Sequence, residues 1–268
     1  MPSEWYVRGM AVHPYLVGAP VPRILAHRGL VTNAMRDEGI AENTIAAFAA
    51  AHAAGATFIE SDCHLTSDGE VVLFHDDRLD RVAGVPQAIA DVTLAELESI
   101  MSTRGGLSTL AQALTAFPDS RFNIDVKADG AAEKAGRIIA QHAHRVLLTS
   151  FSDRRRRIAL RAARTAAGSP ATAPGRATIV GLVIATRIAP IRWLIRRLLR
   201  GIDALQIPER QGRLTVLTPR LIRAAHEAGV EVHVWTVNDE QDMRRLVGMG
   251  VDGIVTDRAD RALAAFAD

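Results

Sequence analysis

Short apolar runs alternate with helical spacing along nearly the whole chain. Residues 24–26 read as a buried strand and 44–54 as a helix. Residues 58–65 and 70–74 read as two strands joined by a turn at Ser67-Asp68-Gly69, where Asp-Gly is a strong hairpin signal. Helical spacing returns over 93–99 and 108–116, followed by a strand over 122–126, a helix over 131–142, a strand over 146–148 and a helix over 153–166. Residues 168–177, rich in glycine and proline, read as a loop, 179–184 as a strand and 191–200 as a helix. The last third gives strands at 204–206, 230–237 and 253–255 between helices at 219–228, 240–247 and 258–266. Roughly eight such β–α alternations predict parallel strands covered by helices. No Gly-x-Gly-x-x-Gly turn opens a helix, so an open dinucleotide-binding sheet loses its best support. The expected fold is therefore α/β, a TIM (β/α)8 barrel over residues 23–268 behind an N-terminal extension over 1–22.

Length agrees: 268 residues match the roughly 250 of a single such barrel. Apolar residues are 48% of the chain and charged residues 23%, which excludes a disordered or fibrous protein. The single cysteine, Cys63, excludes an intrachain disulfide and a cysteine-only zinc site, in keeping with a reducing compartment. The apolar run 12–26 is broken by Pro14, Pro20 and Pro22, so no membrane span or secretory leader is expected, and the expected location is cytoplasmic. The net charge of +2 conceals a basic sector: residues 151–223 hold 16 Lys/Arg against 3 Asp/Glu. Within it, Ile191, Leu194, Ile195 and Leu198 form an apolar stripe and Arg192, Arg196 and Arg200 a ridge at helical spacing. With Trp193 and Arg154–Arg157, that helix suggests weak association with an anionic membrane surface. The plainer account is that the stripe covers a barrel strand. Nothing suggests a nucleic-acid partner, and the oligomeric state is not readable.

Barrel chemistry sits at the C-terminal strand ends and the loops beyond them. There the chain places His27 and Arg28 after the first strand, Glu60 and Asp62 on one face of the second, and His75 after the third. Asn123, Asp125 and Lys127 share a face of the next strand. Two carboxylates on one buried strand face repel unless a cation or protons compensate, and hard oxygen ligands favour Mg²⁺ or Ca²⁺. Histidines, carboxylates, an arginine and a lysine together suit phosphoryl chemistry.

The ordered series Ala26-His27-Arg28-Gly29, Glu42-Asn43-Thr44, Glu60-Ser61-Asp62, Thr66-Ser67-Asp68-Gly69 and His75-Asp76 resembles the signature of the glycerophosphodiester phosphodiesterase family. Asn123-Ile124-Asp125-Val126-Lys127 is similar to that family's Asn-Ile-Glu-Ile-Lys strand, and Val234-Trp235-Thr236-Val237-Asn238 to its Trp-Thr-Val-Asn strand end. The resemblance runs from about residue 23 to 265. It implies a TIM barrel, one divalent cation (Mg²⁺ or Ca²⁺, with Mn²⁺ as a substitute) and hydrolysis of small glycerophosphodiesters to sn-glycerol 3-phosphate and an alcohol. It implies His27 and His75 as the acid/base pair, and Glu60, Asp62, Asp125 and Glu42 at the metal. Arg28 and Lys127 match phosphate contacts, and Trp235 an aromatic wall beside the substrate. Asp125 is one methylene shorter than the family's usual Glu, so a water bridge can stand in for its direct bond, and a salt bridge to Lys127 is its structural alternative. Residues 30–41 form a longer connection than the pattern leads one to expect, a lid or a surface loop. Lysophospholipase D-type hydrolysis of a single-chain lipid is the runner-up activity. A catalytically silent binding module would lack one of these histidines or carboxylates, and none is missing.

Overall fold

The computed structural model describes residues 12–188 and 192–267. The first part of the expected N-terminal extension, 1–11, and the first residue of the helix expected over 191–200 lie outside them. The strands are β1 (Arg23–His27), β2 (Phe58–Leu65), β3 (Val71–Leu73), β4 (Arg121–Val126), β5 (Val146–Thr149), β6 (Ala171–Thr172), β7 (Ala204–Pro208), β8 (Arg210–Gln211), β9 (Leu214–Thr215), β10 (Glu231–Trp235) and β11 (Gly253–Thr256). The helices are α1 (Asn33–Asp37), α2 (Ile45–Ala53), α3 (Asp80–Ala83), α4 (Leu94–Met101), α5 (Leu110–Ala116) and α6 (Ala131–Ile139). They continue with α7 (Asp153–Ala163), α8 (Arg176–Ile188), α9 (Arg192–Leu198), α10 (Pro219–His226), α11 (Glu240–Gly248) and α12 (Ala259–Ala265).

Eight strands run parallel in the order β6-β5-β4-β2-β1-β11-β10-β7, and β3 adds antiparallel to β2 as the expected hairpin. The Asp203 amide, just before β7, donates to the Thr172 carbonyl at 2.9 Å, and the Asp203 carboxylate accepts from the Thr172 amide at 2.8 Å. Those two bonds close the ring between the first and last strands of that order. The fold is the TIM barrel that the alternation predicts.

Pleating divides the strands into two faces. Outward residues such as Ile24, Ile59, Ile124, Leu148, Ile207 and Ile254 join the helices in one large buried cluster. Inward residues Leu25, Phe58, Leu147, Ala204 and Val255 form a separate inner cluster with Tyr15 and Leu16. The described part of the extension therefore packs under the barrel. The Arg121 guanidinium donates to the carbonyls of Tyr15 and Val17, and Arg23 reaches the Leu16 carbonyl and pairs with Glu231 at 2.9 Å. Apolar filling at this end leaves the opposite, C-terminal ends of the strands for polar side chains.

Two expectations fail in the same region. The run 179–184 is helical, part of α8, and β6 lies inside the stretch read as a loop. Helical spacing buries one face of the run: Leu182, Val183 and Ala185 pack onto the core from α8, and tertiary packing outweighs β-propensity. The start signal for α8 comes from elsewhere in the sequence. Asp153 of α7 accepts from the Gly175 and Thr178 amides and from the Thr178 hydroxyl at 3.0–3.3 Å. A Cβ at Gly175 would meet the Asp153 amide nitrogen at 2.7 Å, so that cap requires glycine. The expected apolar stripe of α9 also turns inward: Ile195 is buried, and Leu194 and Leu198 pack against the core. Among the described residues, no helix is long and apolar enough to cross a membrane.

Candidate active site

At the C-terminal strand ends one cavity of about 760 Å³ gathers His27, Arg28, Glu60, Asp62, His75, Asp125, Lys127 and Trp235, all expected there from sequence. Strand register explains most of this. His27 lies opposite Glu60 across β1–β2, and Asp62 opposite Asp125 across β2–β4, so alternation turns all four inward at neighbouring heights. Glu42 stands just outside, reaching in through Arg28.

The turn after β1 sets the first group. Arg28 adopts a left-handed backbone (φ 59°), as does Asn43 (φ 58°), a conformation costly for such residues and found mainly where a site over-determines it. Gly29 follows at φ 86°, and a Cβ there would stand 2.7 Å from the Ala47 backbone, so only glycine lets α2 approach β1. The turn aims the Arg28 amide at Glu60 Oε2 (3.2 Å) and its guanidinium at Glu42 (2.8 Å) and Asp62 (3.5 Å). Asn43 accepts from the Ser61 hydroxyl at 2.6 Å and donates to Asp62 at 3.5 Å, which fixes that carboxylate from behind.

Both expected histidines are oriented by a carboxylate. His27 Nδ1 stands 2.6 Å from Asp257 Oδ1, leaving Nε2 towards the cavity, 3.9 Å from Glu60. His75 Nδ1 is paired in the same way with Asp76 at 2.6 Å. Burial disfavours the His27 imidazolium, but the Asp257 bond and the Glu60 charge outweigh it and raise its pKa above 6.5. Asp257, in turn held by Asn238 at 2.7 Å, is lowered by those bonds against its own burial. Neither Asp257 nor Asp76 was singled out as a site residue from sequence. Asp257 lies one residue beyond β11, and its place at a strand end was the available signal. His64 Nε2 bonds the His75 carbonyl at 3.0 Å and so steadies the loop that carries His75.

Lys127 bridges Asp62 (2.9 Å) and Asp125 (2.7 Å) and lies 5.1 Å from the Phe151 ring centroid. The salt bridge that sequence offered as the alternative role of Asp125 is thus present, while its other oxygen, Oδ1, is buried without a hydrogen-bond partner. Burial pushes the Asp125 carboxyl up, with Lys127 opposing. Burial and the neighbouring Asp62 charge push Glu60 up to about 8, against His27, Arg28 and Lys127. Glu42, expected at the metal, pairs with both Arg28 and Arg81, which hold its pKa down in spite of burial. Among the described residues, no three His, Cys, Asp or Glu side chains form a ready-made ligand set for an ion.

Much of the remaining wall is apolar. Trp235 packs edge-on to Phe151 with centroids 6.0 Å apart, and Ile179, Val183 and Ile184 of α8 extend that surface with Leu214 of the β8–β9 hairpin. Trp235 is the part of this wall expected from sequence; the α8 residues are not, because their segment reads as a strand. The connection 30–41 carries the short, solvent-facing helix α1, with no buried side chain.

Comparison with known proteins agrees with this geometry. The profile described as "Glycerophosphoryl diester phosphodiesterase family" matches residues 27–261. The chain is 39% identical over 254 residues, 91% of this chain and 93% of the other, to "Probable glycerophosphodiester phosphodiesterase 2" of Mycobacterium tuberculosis. It is 25% identical to human "Lysophospholipase D GDPD1", covering 81% of this chain and 79% of that one. A solved glycerophosphodiester phosphodiesterase from Thermotoga maritima superposes with a TM-score of 0.69 at 24% identity, covering 90% of this chain and 97% of that one, and so shares the barrel. With its motifs, its barrel and its strand-end cluster in agreement, the chain belongs to the glycerophosphoryl diester phosphodiesterase family and is an enzyme of that family.

Proposed function

We propose that the chain hydrolyses glycerophosphodiesters to sn-glycerol 3-phosphate and an alcohol, with one divalent cation held by Glu60, Asp62 and Asp125. The observation that carries the hydrolytic reading is a pair of carboxylate-oriented histidines, His27–Asp257 and His75–Asp76, lining the same cavity as Lys127 and Arg28. The carboxylate surplus supports the cation. Glu60 retains a proton up to about pH 8 and Asp125 Oδ1 lacks a partner, the signs of a buried site short of positive charge. Mg²⁺ or Ca²⁺ suits such all-oxygen donors, with Mn²⁺ as a substitute. When bound, the cation supplies charge neutralisation and polarisation of the phosphoryl group.

The chain's own groups do the rest. Lys127 and Arg28 point donors into the cavity, where a phosphodiester anion would lie against them. Each histidine has Nδ1 committed to a carboxylate, so Nε2 is the atom that moves protons. One histidine takes the proton of the nucleophile while the other protonates the leaving alkoxide. Water and the substrate's own glycerol 2-hydroxyl both fit this scheme as nucleophile, the second by way of a cyclic phosphate.

A second reading, lysophospholipase D-type hydrolysis, is favoured by the wall of Phe151, Ile179, Val183, Ile184 and Leu214, on which a single acyl chain would find apolar contact. A cation-supplemented screen of glycerophosphocholine, glycerophosphoethanolamine, glycerophosphoglycerol and lysophosphatidylcholine separates the two. Release of sn-glycerol 3-phosphate from the first three supports the main reading. Cleavage of the lysolipid alone supports the second, and no cleavage of any contradicts both.

A further inference from the structure

Beside the active-site mouth lies a second cleft of about 330 Å³ between α8, α9 and α10. Arg187, Arg192, Arg196, Arg220 and Arg223 line it against one acid, Glu227. Glu227 pairs with Arg192 at 3.3 Å, and Arg187 donates to the Thr215 carbonyl. Among the described residues, Arg196, Arg220 and Arg223 have no carboxylate within ion-pair distance, although they converge on one cleft. Such convergence of like charge is unfavourable unless an anion completes it. Arg187 lines both this cleft and the active-site cavity, so the two lie on either side of its side chain.

The rim of the active-site cavity next to Arg187 is apolar. Phe151, Val180, Ile184 and Leu214 are 55%, 49%, 52% and 44% exposed, and all four line the mouth of the cavity. Val180 and Ile184 are one helical turn apart on α8, on the side away from the buried Leu182. A free phosphate ion would need the cleft alone. Exposed apolar side chains on α8, the helix that also walls the arginine cleft, in a sector holding 16 Lys/Arg against 3 Asp/Glu over residues 151–223, match a surface that is itself apolar and anionic together.

We propose that this rim and cleft form one docking surface for an anionic phospholipid bilayer, the rim entering the headgroup–acyl boundary and the cleft holding a lipid phosphate. The surface differs from the one the sequence suggested: the stripe of α9 is used up in packing, and α8 with the β9 end of the hairpin supplies the apolar contact. Docking this way turns the active-site mouth towards the membrane. Docking is independent of the proposed hydrolysis, so its test needs no turnover.

The test is flotation of the full chain, in chelator, with vesicles of phosphatidylcholine alone or mixed with phosphatidylglycerol. The wild type floats with the mixed vesicles and not with the neutral ones, and about 0.5 M salt releases it. Arg196→Glu/Arg220→Glu/Arg223→Glu lowers the bound fraction at least about tenfold. Val180→Ser/Ile184→Ser weakens binding to the same vesicles while leaving its salt dependence. All five residues are exposed, and melting curves check that the variants fold; Arg→Gln forms replace the reversals if those melt early. Equal recovery with and without anionic vesicles overturns the proposal, as does binding that neither variant set alters. A melting shift with inorganic phosphate but no flotation assigns the cleft to a free anion and overturns it as well.

Discussion

The two halves of the cavity mouth are built on different principles. On the β1–β4 side each functional group leaves a strand end and is held by a second bond: His27 by Asp257, His75 by Asp76, Lys127 by Asp62 and Asp125, and Arg28 by Glu42. On the β6–β9 side a two-residue strand, a surface helix and a short hairpin present mostly apolar side chains. Bond-making chemistry needs groups held within fractions of an ångström, which strands and paired carboxylates provide. Contact with a leaving group needs only surface of suitable polarity. Substitutions on the first side should therefore change rate, and those on the second should change which substrate is preferred.

The largest effect is expected for His27→Ala and His75→Ala. Each should lower kcat at least about 10²-fold, the scale of a general acid or base, with an unchanged far-UV spectrum. A variant that retained wild-type kcat would remove that histidine from the proton-transfer pair.

Lys127→Met should separate the halves by stability. It strands Asp62 and Asp125, both buried, without their shared cation, a loss of about 3 kcal/mol for a buried pair. Arg187→Gln, on the exposed side, should stay within about 0.5 kcal/mol of wild type. Equal denaturant midpoints for the two variants would contradict the contrast.

A pH scan in chelator tests the charge surplus. The folded chain keeps the Glu60 proton up to about 8, whereas an unperturbed glutamate loses it near 4.5. The folded state then binds the extra proton, so stability falls as pH rises through that window and levels off above it. His27, raised above 6.5, adds a loss of the same sign, because its stabilised imidazolium disappears as pH rises through the folded value. Glu60→Gln should flatten most of this slope in thermal melts, and a saturating divalent cation should do the same to the wild type. A slope unaffected by Glu60→Gln would place the strain elsewhere.

How much the sequence revealed follows the same division. The polar half was legible because strand alternation fixes which side chains share a face: Glu60 with Asp62, and Asp125 with Lys127, needed only the pleat. Asp257 was missed because its role depends on β11 lying beside β1, a neighbour relation made by closing the ring. The apolar half was illegible for two physical reasons. The cap of α8 is Asp153, more than twenty residues upstream, so no local signal marks the helix start. The run 179–184 also suits a strand as well as the buried face of a helix, and only packing onto the barrel decides between them.

The smallest effect is expected at Ile184→Ser, which removes apolar contact at the far wall. It should raise KM for lysophosphatidylcholine a few-fold, about 1 kcal/mol of lost contact, and more than it does for glycerophosphocholine. Equal changes for both substrates would leave α8 without a part in selection.

The proposed hydrolysis depends most directly on a divalent cation and the carboxylates that would hold it. Protein stripped with EDTA and dialysed should release no sn-glycerol 3-phosphate from glycerophosphocholine. Mg²⁺, Ca²⁺ or Mn²⁺ should restore release in the wild type, whereas Asp62→Asn should require at least about tenfold more cation for half-maximal rate. Full turnover in excess EDTA, or an Asp62→Asn variant with the wild-type cation requirement, would contradict it.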